Sequence, residues 1–285
     1  FGSSMICHGG LFCRTICRGF VGACGRRRFS SSNLPELTVF LDLDETLVRS
    51  YIVGYHNPAS RELKTHDFET SIASSGKEYQ CLVSKRPGVD DFLARLAEMG
   101  FAAMVFSTGS REYTSAIASH LDPLGHVIAK VWSKSDCTRA TIPGLWLKDL
   151  RFVSRHLERS VLVDNNPVSA VLQPDNAVIV PDWLGSDNSG DQELSCVLDI
   201  LHEVRDLPDV RTDLRDRFKL HQHLSHLGDL DGRPQAFSSH RDLFEALKAT
   251  QQRCREVQHL ALECAQTYRG RQYDLACDDD NPEWV

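Results

Sequence analysis

Thr38-Val39-Phe40-Leu41-Asp42-Leu43-Asp44-Glu45-Thr46-Leu47-Val48 is the stretch that decides the fold. Its first half is apolar and partly β-branched, the pattern of a strand buried on both faces of a parallel sheet. Its second half sets two aspartates one residue apart, with a threonine two further on. Parallel sheets place ligand sites at the carboxyl ends of their strands. Residues two apart in an extended chain point the same way, so Asp42, Asp44 and Thr46 are expected to face one site where the strand ends. Crowded carboxylates repel and are costly without a cation or a reaction that needs them. Magnesium suits such a place, because it takes a few protein oxygens and keeps the rest of its shell for water and phosphate. Alone, the pattern arises by chance in roughly one chain in ten of this length. It is then a strand running into an Asx turn.

Outward from this stretch, strand and helix patterns alternate from residue 37 to residue 205. Apolar runs at 101–106, 127–132, 161–163 and 177–180 read as strands. Helical spacing follows Pro87-Gly88, through Val89, Phe92, Leu93 and Leu96, and recurs at 111–121, 148–157 and 193–204. Residues 49–84 read as a β-hairpin flap, and 133–146 as irregular. The alternation predicts an α/β fold, a doubly wound parallel sheet with a small β-hairpin flap and a C-terminal helical extension. Domain limits are expected at 1–33 for a leader, 34–210 for the α/β domain, and 211–285 for the extension, with helices at 214–227 and 240–268 and an acidic tail.

Composition narrows the function. The 285-residue chain is 41% hydrophobic and 25% charged, ordinary for a globular protein. A formal net charge of −7 argues against nucleic acid as the main partner. Arg14, Arg18, Arg26, Arg27 and Arg28 precede the first acidic residue, Glu36, among several serines. That composition predicts a mitochondrial transit-like leader; a disordered basic tail has the same composition. No two of the ten cysteines form a C-x-x-C pair, so zinc-ligand spacing is absent. No apolar run is long enough to predict a transmembrane segment.

Three more polar groups fall at element ends. Ser107 follows the 101–106 run beside a glycine turn, where a hydroxyl can bond a phosphate oxygen or cap the next helix. Lys148, in Trp146-Leu147-Lys148-Asp149-Leu150, stands at a predicted helix start, where anions are favoured. It can neutralise a phosphoryl group and a nucleophile, or be a surface lysine. Asp164-Asn165 close the 161–163 run and can add oxygen ligands for magnesium, or cap a helix beginning at Pro167.

With these residues the chain resembles the haloacid-dehalogenase superfamily and, within it, the branch holding the phosphatases of the RNA polymerase II C-terminal domain. The resemblance rests on Asp42 to Val48, Lys85-Arg86-Pro87-Gly88-Val89, Ser107, Leu147-Lys148-Asp149-Leu150 and Val163-Asp164-Asn165-Asn166-Pro167. Leu172-Gln173-Pro174 with Asn176, Trp183 with Gly185, and Asp209-Val210-Arg211 resemble another class of that branch, the receptor subunit of the mitochondrial inner-membrane import translocase. The chain departs from that class in its intact aspartates and in showing no membrane span after the leader.

The resemblance implies Asp42 as nucleophile and Asp44 as general acid and base. It implies Mg2+ held by Asp42, Asp44 and Asn165 with Asp164 beside them, and Ser107 and Lys148 on phosphate oxygens. Thr46 and Lys134 are implied on the substrate side. The expected function is a mitochondrial, Mg-dependent phosphatase of phosphoprotein (Ser/Thr) monoesters, in the matrix or associated with the inner membrane. The alternative is a non-catalytic or weakly catalytic scaffold or receptor subunit of an inner-membrane import complex.

Overall fold

The structure, a computed structural model, describes residues 34–54, 66–74, 76–140, 145–185 and 190–224. Its elements run β1 (Thr38–Leu41), β2 (Val48–Ile52), β3 (Phe68–Ser74), β4 (Lys77–Lys85), α1 (Val89–Glu98), β5 (Ala102–Phe106), α2 (Arg111–Leu121), β6 (Ile128–Trp132), β7 (Thr138–Arg139), β8 (Trp146–Leu147), α3 (Leu150–Val153), β9 (Ser160–Asp164), β10 (Ala177–Ile179), α4 (Glu193–Val204), α5 (Val210–Phe218) and α6 (Leu220–Leu224).

β1 lies at the centre because both of its faces are apolar. The parallel sheet has the order β10-β9-β1-β5-β6, with Leu41 opposite Val105 on one side and Val163 on the other. Successive side chains alternate between faces. Val39 and Leu41 join a core with Leu96, Ile117, Val197 and Leu201, and Phe40 joins Phe106, Leu162, Ile179, Leu147 and Leu220 on the other face. Each such fully buried side chain contributes roughly 1.5–3 kcal/mol of transfer free energy. Two covered faces on a parallel sheet are the doubly wound arrangement that the alternation predicted.

Four local expectations are corrected. First, β1 ends at Leu41, so strand alternation does not bring Thr46 to the acids. A turn does: the Leu43 carbonyl accepts the N–H groups of Thr46, Leu47 and Val48 at 3.2, 2.9 and 2.9 Å, and Glu45 takes a left-handed φ of 57°. Second, the flap is a three-stranded antiparallel sheet, β2-β4-β3, rather than one hairpin. Ile72, Cys81 and Val83 anchor it on the core.

Third, the helix expected over 148–157 shrinks to α3. The Asp149 side chain caps it by accepting from Arg151 N at 3.0 Å, and the chain turns extended at Ser154. Fourth, the helix expected over 214–227 is broken at Lys219, whose φ is 51°. α5 and α6 bury Val210, Leu214, Phe218, Leu220 and Leu224, so the folded unit continues past residue 210 to Leu224. The leader (1–33), the helix expected at 240–268 and the acidic tail lie outside the described residues. No described helix is long and apolar enough to cross a membrane.

Candidate active site

The ends of β1, β5 and β9 meet the segment after β8 at one edge of the sheet. Lys148 is the hub. Its Nζ lies 2.5 Å from Asp42 Oδ1 and 2.6 Å from Asp164 Oδ2, and its side chain is 1% exposed. The residue lies between β8 and the cap at Asp149, its N–H bonded to the Ser169 carbonyl at 3.0 Å, and not in the first turn of a helix. This removes the conflict with the helix dipole. Burial alone would discharge the ammonium, but Asp164 and Asp42 hold it above the ordinary lysine range. Asp164 is itself pushed up to about 6 by burial, with Lys148 opposing that rise.

Thr46 fastens the aspartate turn to β9. Its hydroxyl donates to Asp42 Oδ2 at 3.0 Å, has Asn165 Oδ1 at 3.3 Å as a second acceptor, and accepts from Asn165 N at 3.0 Å. Thr46 is fully buried. It therefore orders the acids from behind, and the substrate contact expected of it has no exposed surface to use. Ser107 is buried at the end of β5, and its Oγ accepts from Gly109 N at 3.0 Å. That bond leaves the Ser107 hydroxyl hydrogen for an acceptor oxygen.

Asp44 stands apart from this network. Burial pushes its carboxyl up to about 6, a hydrogen bond from Tyr113 pulls against that, and the Asp42 charge adds to the rise. A carboxyl of that strength exchanges protons near neutral pH. Lys134 is exposed, with its N–H on the Gly109 carbonyl at 2.8 Å and its Nζ 5.2 Å from the Trp146 ring centroid. It sits on the rim beside the β5 end, outside the buried network.

Several contributors lie outside the residues expected at the site. Tyr113 on α2 donates to Asp44. Asp182 accepts from Asn165 Nδ2 at 2.7 Å. Arg86, paired with Asp191 at 3.0 Å, donates to the carbonyls of Thr46 and Pro181 at 3.2 Å each. Trp183 N donates to the Glu45 carbonyl at 2.7 Å. The segment after β10 is thus stitched to the aspartate turn. For Tyr113 the available signal was a hydroxyl-bearing aromatic in the first turn of the helix that follows the serine strand. Asp182 and Asp191 gave none.

The donors at this site are oxygens: the carboxylates of Asp42 and Asp164 and the Asn165 amide oxygen. Among the described residues there is no group of three or more His, Cys, Asp or Glu that could hold a metal. A one- or two-carboxylate set with an amide fits magnesium, which keeps water and phosphate in the rest of its shell.

The family described as NLI interacting factor-like phosphatase matches residues 37–211. A probable C-terminal domain small phosphatase of Dictyostelium discoideum is 36% identical over 174 residues, covering 61% of this chain and 52% of the relative. Human carboxy-terminal domain RNA polymerase II polypeptide A small phosphatase 1 is 34% identical over 180 residues, covering 63% of this chain and 64% of the relative. The chain therefore spans less than two thirds of either protein. The structure of Fcp1, an essential RNA polymerase II CTD phosphatase, aligns with a TM-score of 0.42 at 17% identity, covering 83% of this chain and 66% of that one.

Proposed function

We propose, on the premise that this chain belongs to the NLI interacting factor-like phosphatase family, that it hydrolyses serine and threonine phosphomonoesters on proteins through an aspartyl-phosphate. The observation that carries this reading is the Lys148 ammonium shared between Asp42 and Asp164. A cation so placed aligns the Asp42 carboxylate and offsets negative charge as a phosphoryl group arrives.

In the first step an Asp42 carboxylate oxygen bonds to phosphorus as the bond from phosphorus to the seryl or threonyl oxygen breaks. Asp44 delivers its proton to that leaving oxygen. In the second step Asp44 takes a proton from water, the hydroxide attacks phosphorus, and Asp42 is released with inorganic phosphate. Ser107 donates to a phosphoryl oxygen, and Lys148 offsets its charge. Asp42, Asn165 and the Asp44 carbonyl, with Asp164 alongside, would hold magnesium, which would supply charge neutralisation during transfer. The flap is a small three-stranded sheet rather than a large cap, and an open site suits a segment of protein chain better than a small metabolite.

We place the protein in mitochondria, in the matrix or at the inner membrane, on the composition of residues 1–33. A receptor subunit that keeps only the fold has no use for an intact acid–lysine network, so that network favours the enzyme over the scaffold. Fractionation of cells, with activity assayed on each fraction, tests the location. For the chemistry, the purified protein should release phosphate from an aryl phosphate with magnesium, and Asp42→Asn should lower the rate by about a hundredfold or more. Equal inactivity of both proteins sinks the enzyme reading.

A further inference from the structure

Beside the site lies a group of cations without acidic partners. Lys130, Lys134 and Arg139 are exposed, and none has a carboxylate within salt-bridge distance among the described residues. Each stands over an indole ring instead. Lys130 Nζ is 3.6 Å from the centroid of Trp132. Lys134 Nζ at 5.2 Å and the Arg139 guanidinium at 5.5 Å both address Trp146. In a chain with a formal charge of −7, such a local excess of positive charge is unexpected.

This rim hangs on the elements that carry the chemistry. Ser107 N donates to the Trp132 carbonyl at 3.0 Å, and Lys134 N donates to the Gly109 carbonyl at 2.8 Å. Trp146 pairs with Arg139 across β7 and β8, two residues before Lys148. A protein segment whose phosphoresidue reaches Ser107 and Lys148 must cross or border this rim. A lysine on an edge strand discourages strand addition, which accounts for Lys130 on β6. It does not account for Lys134 and Arg139, which lie outside that strand.

We propose that Lys130, Lys134 and Arg139, set on Trp132 and Trp146, bind an extended acidic stretch of the phosphoprotein substrate next to its phosphorylated residue. This inference rests on the phosphatase reading and names its substrate class. Three single charges spread over β6, β7 and the segment between them match carboxylates spaced along a chain, rather than one compact dianion. Cations lying on aromatic faces are pre-positioned, so less side-chain freedom is lost on binding.

The test uses the full chain and two fluorescent phosphoserine peptides, one flanked by Asp and Glu and the other by Gln and Ser. Binding is read by anisotropy without magnesium, and phosphate release is then measured with magnesium. The acidic peptide should bind about tenfold more tightly at low salt, as a few exposed ion pairs allow. In Lys130→Gln/Arg139→Gln the preference should fall to about twofold or less, with an unchanged unfolding midpoint. Arg139→Glu should reverse it.

Equal binding of the two peptides to the unaltered protein overturns the proposal, as does a preference that survives the double substitution. A single-stranded RNA that binds as tightly and loses as much in the double variant also overturns it, because the surface would then be a general anion site. Acid preference in binding without phosphate release counts against the phosphatase reading and leaves the rim standing. Equal turnover of both peptides does the reverse.

Discussion

The Tyr113 hydroxyl donates to the Asp44 carboxylate, and the same oxygen meets the Ser50 hydroxyl at 2.6 Å. With its hydrogen committed to Asp44, Tyr113 receives one from Ser50. Burial and the nearby Asp44 charge push the phenol well above its ordinary range, so it remains a donor. The proton-transfer residue is thus tied through α2 to β2 of the flap. Tyr113→Phe removes a bond that favours the charged form of Asp44, so that carboxyl should titrate above its present value of about 6. The alkaline limb of the pH profile of kcat/KM should move upward, with kcat lowered by about tenfold or less. An unmoved limb would separate Tyr113 from the acid.

Asp44 also carries a stability cost with a definite sign. Its folded carboxyl, raised to about 6 mainly by burial, holds a proton more tightly than an ordinary aspartate at 3.8. The folded state therefore binds more protons between these values, and stability falls as pH rises through that window. Because the residue is half-buried rather than sealed, Asp44→Asn should gain about 1–2 kcal/mol at pH 7 and almost nothing at pH 3. Urea unfolding at both pH values measures this; a gain of the same size at pH 3 would assign it to packing.

Gly109 shows how little room surrounds this pair. A Cβ there would lie 2.6 Å from Tyr113 Cδ1 and 3.2 Å from Ser107 Oγ. Gly109→Ala must move the tyrosine ring, and with it the partner of Asp44. About a tenfold loss of kcat with destabilisation of about 1 kcal/mol is expected. Activity close to that of the unaltered protein would mean that the ring yields without disturbing Asp44.

The parts of this site that the sequence displayed are those that share one short segment or end a buried strand. Asp42 and Asp44 follow an apolar run, Ser107 follows another, and Asp164-Asn165 a third, so strand periodicity alone places them on one edge. Lys148 was legible as a charge in apolar surroundings, but its local conformation was not, because the cap at Asp149 starts the helix two residues later than the periodicity suggests. Arg86 and Asp191 are separated by 105 residues, and Asn165 and Asp182 join the segments that follow β9 and β10. Such pairings follow from how strands are ordered in the sheet, which no local pattern records. The third flap strand, β3, was hidden for a different reason: it pairs with its sequence neighbour β4, but only Ile72 of its seven residues is buried, so it shows little apolar alternation.

The Asn165–Asp182 contact leads to a prediction about metal affinity. Asp182 Oδ1 holds the amide nitrogen at 2.7 Å, which leaves Asn165 Oδ1 directed toward Thr46 and the acids. Asp182→Ala frees the amide to rotate. The half-saturating magnesium concentration should rise by about tenfold, as for other residues that orient a metal ligand. Calorimetric titration of the protein with magnesium in the absence of substrate should show the same weakening. An unchanged magnesium affinity would limit Asp182 to holding the loop.

Lys148 gives the sharpest separation of stability from catalysis. Lys148→Met keeps the length and apolar stem but leaves Asp42 and Asp164 facing each other without a cation. Breaking a buried pair by removing one partner costs about 3–5 kcal/mol. Without the ammonium, Asp164 loses the charge that opposes its rise, so its carboxyl should climb further above about 6. A carboxyl raised in the folded state loses stability as pH rises through its unfolded value toward its folded one. The deficit of Lys148→Met should therefore be large at pH 7.5 and shrink below about pH 5, where Asp164 is protonated. A second substitution, Asp164→Asn, should restore much of the stability at pH 7.5, because it removes one of the two stranded charges, while phosphate release stays at least a hundredfold down. Activity returning together with stability would show that Lys148 serves the fold alone. Recovery of stability without activity is the outcome expected of a cation that acts on the phosphoryl group.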